Sequence, residues 1–339
     1  MVRNITVPTP IQIDFPVSRL DTVSRGWVQE RAEQVVRLLR GTPYRHLASS
    51  VRACADLTEI VYPLADTEHV KAPAEWLLWV YPLDEYCEKL ARSSAEGMRF
   101  VEHIFASMTA DAPPSEPVGR GMREMWLAAR AVMSDAWQQE FLEDLHAYLT
   151  TAVRSATELA REPLPSLEEF IAFRRDLSGT KPTVDLVEAS AGVRLPDSVR
   201  AARSWQTVKA CCADVIAWTN CYYSYGREHS EGERHNLVNH FVETAGMDVA
   251  AARDEVARMI NSRVHEFLDA AAALSADESA AGLSPADRES VSRCVLGLTY
   301  WMRGHLDWYL QICPERFSEP ERLRADDAFR PEGGRQGHE

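Results

Sequence analysis

Apolar residues in this chain recur every three or four positions through stretch after stretch, each fenced by proline, glycine or small polar residues. That spacing lines one face of an α-helix, and the regular alternation a half-buried strand needs is scarce. Helical periodicity begins near Ser24 and continues in Gly26–Leu39, Tyr44–Val61 and Ala72–Gly97. It returns in Gly97–Ala110, Pro117–Glu162, Ser166–Asp176, Thr183–Ala191, Pro196–Tyr225, Glu231–Ala245, Val249–Leu274 and Pro285–Ile312. The fences, Asp111 to Pro114, Ser178 to Pro182 and Gly282 to Pro285, carry the turn chemistry that ends helices. The pattern predicts an all-α fold. No long linker or compositional break divides it, so one helical domain is expected over residues 19–317.

Both ends depart from the pattern. Residues 1–18 hold Pro8, Pro10 and Pro16 and are expected to form an extended strap, whereas residues 318–339 are polar and expected to be a disordered tail. The net charge of −14 comes with no basic stripe, which argues against nucleic acid as a partner. Any anionic ligand must be held locally, by metal ions and a few arginines. The seven cysteines are odd in number, scattered and free of C-x-x-C spacing, so they read as reduced thiols of a cytoplasmic protein. No signal-like segment and no run of eighteen apolar residues is present, so no membrane span or anchor is expected. Nucleophile elbows, Walker loops and dinucleotide fingerprints are missing. His235 and His240 lack metalloprotease spacing and are expected to be structural or exposed.

Chemistry concentrates in the stretch from Thr219 to Val238, where Asn220, Ser224 and Glu228 stand at i, i+4 and i+8. On a helix, steps of four drift only about 40° each, so the three side chains stack along one face over about 12 Å. An amide oxygen, a hydroxyl and a carboxylate suit Mg²⁺, which favours oxygen ligands and is usually completed by substrate phosphates. A phosphorylated ligand is the expectation. Around these residues the chain resembles bacterial class I terpene synthases, which carry an Asn-x-x-x-Ser-x-x-x-Glu triad followed by a Gly-Glu-x-x-Asn-Leu-Val-like run. Here that run is Gly232 to Val238, and Arg227 stands where the family has a basic residue touching diphosphate. Cys221 stands where many relatives have aspartate.

The same family places an Asp-rich motif at the end of an apolar, Trp-containing helix, and WLLWVYPLDEYCEKL resembles it. Cyclases of methylated geranyl diphosphate read Asp-Asp-x-Tyr-Cys-Glu there; this chain reads Leu83, Asp84, Glu85, Tyr86, Cys87, Glu88. Leu83 replaces the first aspartate, which puts part of the metal set in doubt. Asp84 and Glu88, at i and i+4, are taken as ligands, with Pro82 able to distort the preceding turn and rotate Asp84 inward. Arg174, 46 residues before Asn220, resembles the family's diphosphate-sensing arginine. Ser178 and Gly179 keep the small residues of the helix break that follows it, and Leu177 replaces a usual polar residue. Toward the C-terminus WMRGHLDWYLQICPERF resembles the family's Trp-x-x-Gly-x-x-x-Trp helix leading to an Arg-Tyr pair, with Arg316 in place and Phe317 for tyrosine.

The resemblance implies a single-domain class I terpenoid synthase bundle enclosing a deep apolar cavity, with metal sites at its mouth. It implies up to three Mg²⁺ ions held by Asn220, Ser224, Glu228, Asp84 and Glu88, and diphosphate held by Arg174, Arg227, Arg316, Ser178, Gly179 and Phe317. Trp301 has the best claim to the cavity wall; most of Trp76, Trp79, Phe100, Phe170, Phe173, Trp218, Tyr222 and Trp308 read equally as core. The implied reaction is ionisation and cyclisation of an isoprenyl diphosphate, farnesyl diphosphate first. Geranyl (2-methylated) or geranylgeranyl diphosphate and a non-catalytic prenyl-diphosphate binder are the alternatives, a chain-elongating transferase being weakened by the single Asp-rich-like motif. Homodimerisation is a habit of that family.

Overall fold

The computed structural model describes residues 9–90, 93–157, 163–276 and 282–312. Among them the chain forms helices α1 (Thr22–Leu39), α2 (Ala48–Val61), α3 (Lys71–Glu85), α4 (Ser94–Thr109), α5 (Pro117–Val132), α6 (Asp135–Thr157) and α7 (Leu167–Leu177). They are followed by α8 (Thr180–Ser190), α9 (Asp197–Arg200), α10 (Arg203–Glu231), α11 (Leu237–Ala245), α12 (Val249–Ala276) and α13 (Pro285–Asp307). No strand occurs among the described residues, and no helix there is long and apolar enough to cross a membrane. Single π-helical turns, Tyr86–Leu90 and Trp308–Ile312, continue α3 and α13.

Local chemistry sets most boundaries. The Asp21 carboxylate accepts from the Val23 and Ser24 amides to start α1, and reciprocal capping boxes, Ser166 with Glu169 and Ser284 with Asp287, start α7 and α13. The periodic stretch from Pro117 to Glu162 is broken, because Met133 is extended and the Ser134 hydroxyl accepts from the Trp137 amide at 3.3 Å to begin α6. The helix bearing Asn220 does not stop at Tyr225. It passes Gly226 and ends at left-handed Gly232, φ 82°.

α10 is the axis of the molecule. Its 29 residues span roughly 43 Å at 1.5 Å per residue, and it packs along α12 while also meeting α7, α8, α11 and α13. Asp214, fully buried on α10, accepts from Arg175 of α7 at 2.5 and 2.8 Å and from Arg263 of α12 at 2.8 Å. Those bonds pin three helices at one point. On the other side, α3 lies against α5 and α8. Trp76 donates to the Thr183 hydroxyl at 2.7 Å, and Trp79 crosses Gly121 so closely that a Cβ there would run into its indole ring. The described part of the strap is pinned too: Ile11 and Ile13 are buried, Asn261 bonds Gln12 N and Pro10 O, and Arg303 donates to Ile13 O.

Candidate active site

Asn220, Ser224 and Glu228 do line one face of α10, and each is held by a specific partner. The Asn220 Oδ1 accepts from the Arg174 guanidinium at 3.0 Å, and its Nδ2 donates to the Tyr309 hydroxyl at 2.8 Å. The buried Ser224 hydroxyl donates its one proton to the Asn220 carbonyl at 2.6 Å, which leaves the oxygen lone pairs for another partner. Glu228 Oε2 accepts from Asn236 Nδ2 at 2.9 Å, and Arg227 lies 3.5 Å from Oε1. Asn236 is fully buried; the same amide nitrogen reaches the Cys221 carbonyl, and its oxygen caps α11 at the Val238 amide.

Arg174 is 8% exposed at the last turn of α7, its Nε 3.3 Å from Cys221 Sγ. Burial works against its charge, yet the Cys221 thiol and the Glu228 and Glu233 carboxylates hold it above the usual arginine range. Its neighbour Arg175 has the structural role described above. Just beyond, Ser178 ends α7 and Gly179, at φ 63°, turns the chain into α8. The Gly179 carbonyl is taken by Thr183 Oγ1 at 2.8 Å, and the Ser178 hydroxyl meets Thr180 Oγ1 at 2.8 Å. A Cβ on Gly179 would press on the Tyr148 ring at 3.2 Å.

Tyr148 connects that break to the Asp-rich segment, since its hydroxyl donates to Asp84. Leu83 is fully buried, so the helix face that carries it points into the core while Asp84 reaches the rim. Desolvation pushes the Asp84 carboxyl up to about 6, opposed by the Tyr148 bond and by Arg174. Desolvation raises Glu88 well above its usual range as well, followed by repulsion from Asp84, Glu233 and Glu228. Yet Glu88 is exposed to solvent. The repulsion from Glu228 and Glu233 sets it near the C-terminal end of α10. Lys89 reaches the same end, 3.5 Å from Glu85 and 3.9 Å from Glu231.

No three carboxylate, imidazole or thiol groups converge on one point among the described residues; the oxygen donors along α10 are the Asn220 amide, the Ser224 hydroxyl and the Glu228 carboxylate. All three offer oxygen, which is the donor chemistry of Mg²⁺. Inward from Asp84 come Tyr148, Trp76 and Phe141, all buried, with centroids 6.0 and 6.5 Å from Trp76. Trp301 is buried edge-on to Tyr62 at 5.4 Å. Two surface pockets, about 340 and 600 Å³, lie elsewhere, beside His69 and Gly192 and beside Phe105 and His146. His235 and His240 are buried and bonded to Ser155 and to the Pro165 carbonyl. Arg316 and Phe317 lie outside the described residues.

Sequence reading missed Tyr148, Tyr309 and Asn236 as partners of the site. Tyr148 and Tyr309 sit on helix faces that read as core, so no local signal marked them. Asn236 did carry one, the cap preceding Leu237 and Val238.

A family model described as terpene synthase family 2, C-terminal metal binding, matches residues 75–266, a span holding Asp84, Glu88, Arg174 and the α10 triad. The chain is 27% identical over 257 residues to (-)-delta-cadinene synthase of Streptomyces clavuligerus, covering 75% of this chain and 79% of that one. It is 27% identical over 313 residues to pristinol synthase of Streptomyces pristinaespiralis, covering 90% and 82%. The solved germacradien-4-ol synthase of Streptomyces citricolor shares the fold, with a TM-score of 0.74 at 19% identity over 88% of this chain and 97% of that one. Because the matched span covers more than half of the sequence, the chain belongs to terpene synthase family 2 and is a class I terpene synthase.

Proposed function

We propose that this synthase uses Mg²⁺ to ionise an allylic isoprenyl diphosphate, farnesyl diphosphate first among them, and cyclises the cation to a sesquiterpene with release of diphosphate. The observation that carries the reading is the line of Asn220, Ser224 and Glu228 with Arg174 bonded into it and Asp84 and Glu88 opposite. Several similar proteins are named sesquiterpene synthases, which favours a farnesyl chain. Asn220, Ser224 and Glu228 would hold Mg²⁺ on one rim, and Asp84 and Glu88 on the other. Bound there, Mg²⁺ supplies Lewis-acid stabilisation of charge on the departing diphosphate.

The protein's own groups then have defined tasks. Arg174 and Arg227 grip diphosphate oxygens through planar, bidentate donors, and Arg316 with the Phe317 ring would extend that grip. The turn at Ser178 and Gly179 ends α7 just past Arg174, whose buried guanidinium meets Asn220 at 3.0 Å. Trp301 and neighbouring rings would exclude water and offer π-faces to positive carbon.

The test is incubation of the full chain with geranyl, 2-methylgeranyl, farnesyl and geranylgeranyl diphosphates and Mg²⁺, read by gas chromatography and diphosphate release. Farnesyl diphosphate should give a cyclic hydrocarbon or alcohol, lost on chelation and reduced at least about a hundredfold by Asn220→Ala, as removal of a principal electrostatic stabiliser requires. Buried Leu83 motivates the other outcome. Tight prenyl-diphosphate binding without product from any of the four would make the chain a non-catalytic binder.

A further inference from the structure

The amide of Asn220 is useful to a cation only if its oxygen, not its nitrogen, faces the mouth, and the two ends of an amide have nearly the same shape. Two partners decide which way it points. The Arg174 guanidinium can only donate, so the end facing it must be Oδ1, 3.0 Å away. The Tyr309 hydroxyl, 2.8 Å from the opposite end, then has to accept from Nδ2. Arg174 would be drawn toward any diphosphate, which leaves Tyr309 as the partner that keeps the amide set when the ligand is present.

Tyr309 is well built for this. It is 3% exposed, in the π-helical turn after α13. Its ring stacks on Tyr223 of α10 at 5.0 Å and 14°, and His305 meets its edge at 4.9 Å. The Tyr223 hydroxyl is in turn 3.0 Å from Thr9 Oγ1 of the amino-terminal strap. The hydroxyl that orients Asn220 is therefore fixed by a ring stack reaching from α13 through α10 to the strap.

We propose that Tyr309 is a positioning residue of the metal site, acting through Asn220 by locking its amide with the oxygen toward the mouth. The proposal rests on the metal-binding reading of α10. It concerns orientation alone, so it predicts that Tyr309 matters only while residue 220 has two unlike ends. Aspartate has two equivalent oxygens and nothing to orient.

The test is Mn²⁺ binding to the full chain in the presence of inorganic diphosphate, followed by the electron paramagnetic resonance signal of free Mn²⁺. Tyr309→Phe keeps the stacked ring and should weaken binding roughly tenfold, the lower end of what loss of an outer-sphere partner costs. In the Asn220→Asp background the same change should weaken binding by no more than about twofold, since the orienting task has vanished. Equal losses in both backgrounds would make Tyr309 a packing residue and overturn the proposal, as would wild-type binding by Tyr309→Phe itself. Asn220→Ala separates the two levels of inference. If it binds Mn²⁺ as tightly as wild type, the metal reading of α10 fails and takes this proposal with it; if it does not, the Tyr309 comparison alone decides.

Discussion

His305 lies among rings, 6.2 Å from Trp301, 6.2 Å from Trp308 and 4.9 Å from Tyr309, and burial pulls its imidazole down to about 3. In the unfolded chain it titrates near its ordinary value of about 6.5. Between those values the unfolded state binds the extra proton, so this residue's contribution is intact above about pH 6.5 and is lost as pH falls toward 3, by up to about 1.4 kcal/mol per pH unit. Asp84 and Asp185, pushed up to about 6 and about 7 chiefly by desolvation, tilt stability the opposite way. Only a comparison isolates the imidazole. Urea unfolding of His305→Phe and wild type at pH 8, 6 and 5 should show the variant gaining on wild type as the pH drops; parallel curves would mean that His305 is solvated. Such a residue is illegible in sequence. In WMRGHLDWYL the histidine reads as one more polar position, and only the packing of α13 on α2 and α10 shows that no water reaches it.

At the scale of helices, Asp214 fastens α7, α10 and α12 through Arg175 and Arg263. Desolvation raises its carboxyl and the two arginines oppose that, so the pair of cations is what makes the buried acid tolerable. Asp214→Ala would leave two guanidiniums facing each other without a counter-charge, and should cost about 3 kcal/mol or more in a denaturant titration. Because α7 carries Arg174 one residue before Arg175, the same substitution should loosen diphosphate binding more than Mn²⁺ binding. Helix identity and order were legible from periodicity, as were the Ser166 and Ser284 caps. The break at Ser134 was not, because apolar spacing continues across it and a single serine hydroxyl makes the cap. The Asp-rich segment was legible as chemistry but not as geometry. Proline at 82 and the π turn from Tyr86 alter the helix around Asp84, and which of Leu83 and Asp84 faces the rim depends on tertiary packing against Tyr148.

For the molecule as a whole, ligands that bridge the α3 and α10 rims should stabilise the fold, since they bind only when both ends are in place. Mg²⁺ with inorganic diphosphate, at about a hundred times its dissociation constant, would add about 2.7 kcal/mol, read as a rise of a few degrees in thermal midpoint. Either component alone should do less, and Asn220→Ala should abolish the joint effect; a rise with Mg²⁺ alone equal to that with both would place the ion away from this mouth. The bundle was readable from pattern because burial of helix faces is a property of many residues added together. The site was readable only in part, because Asn220, Ser224 and Glu228 lie on one element, whereas their partners Arg174, Asn236 and Tyr309 come from three others. Asp84, Glu88, Glu228 and Glu233 crowd the opening, while Arg174 and Arg227 meet the triad at Asn220 and Glu228. If the proposed reading holds, a bare polyanion drifting toward such a doorway should be repelled despite Lys89, while one already escorted by counter-ions would arrive nearly neutral and pass. On the proposed reading the entrance would admit its guest as a salt rather than as a free acid's ion, cargo and escort together.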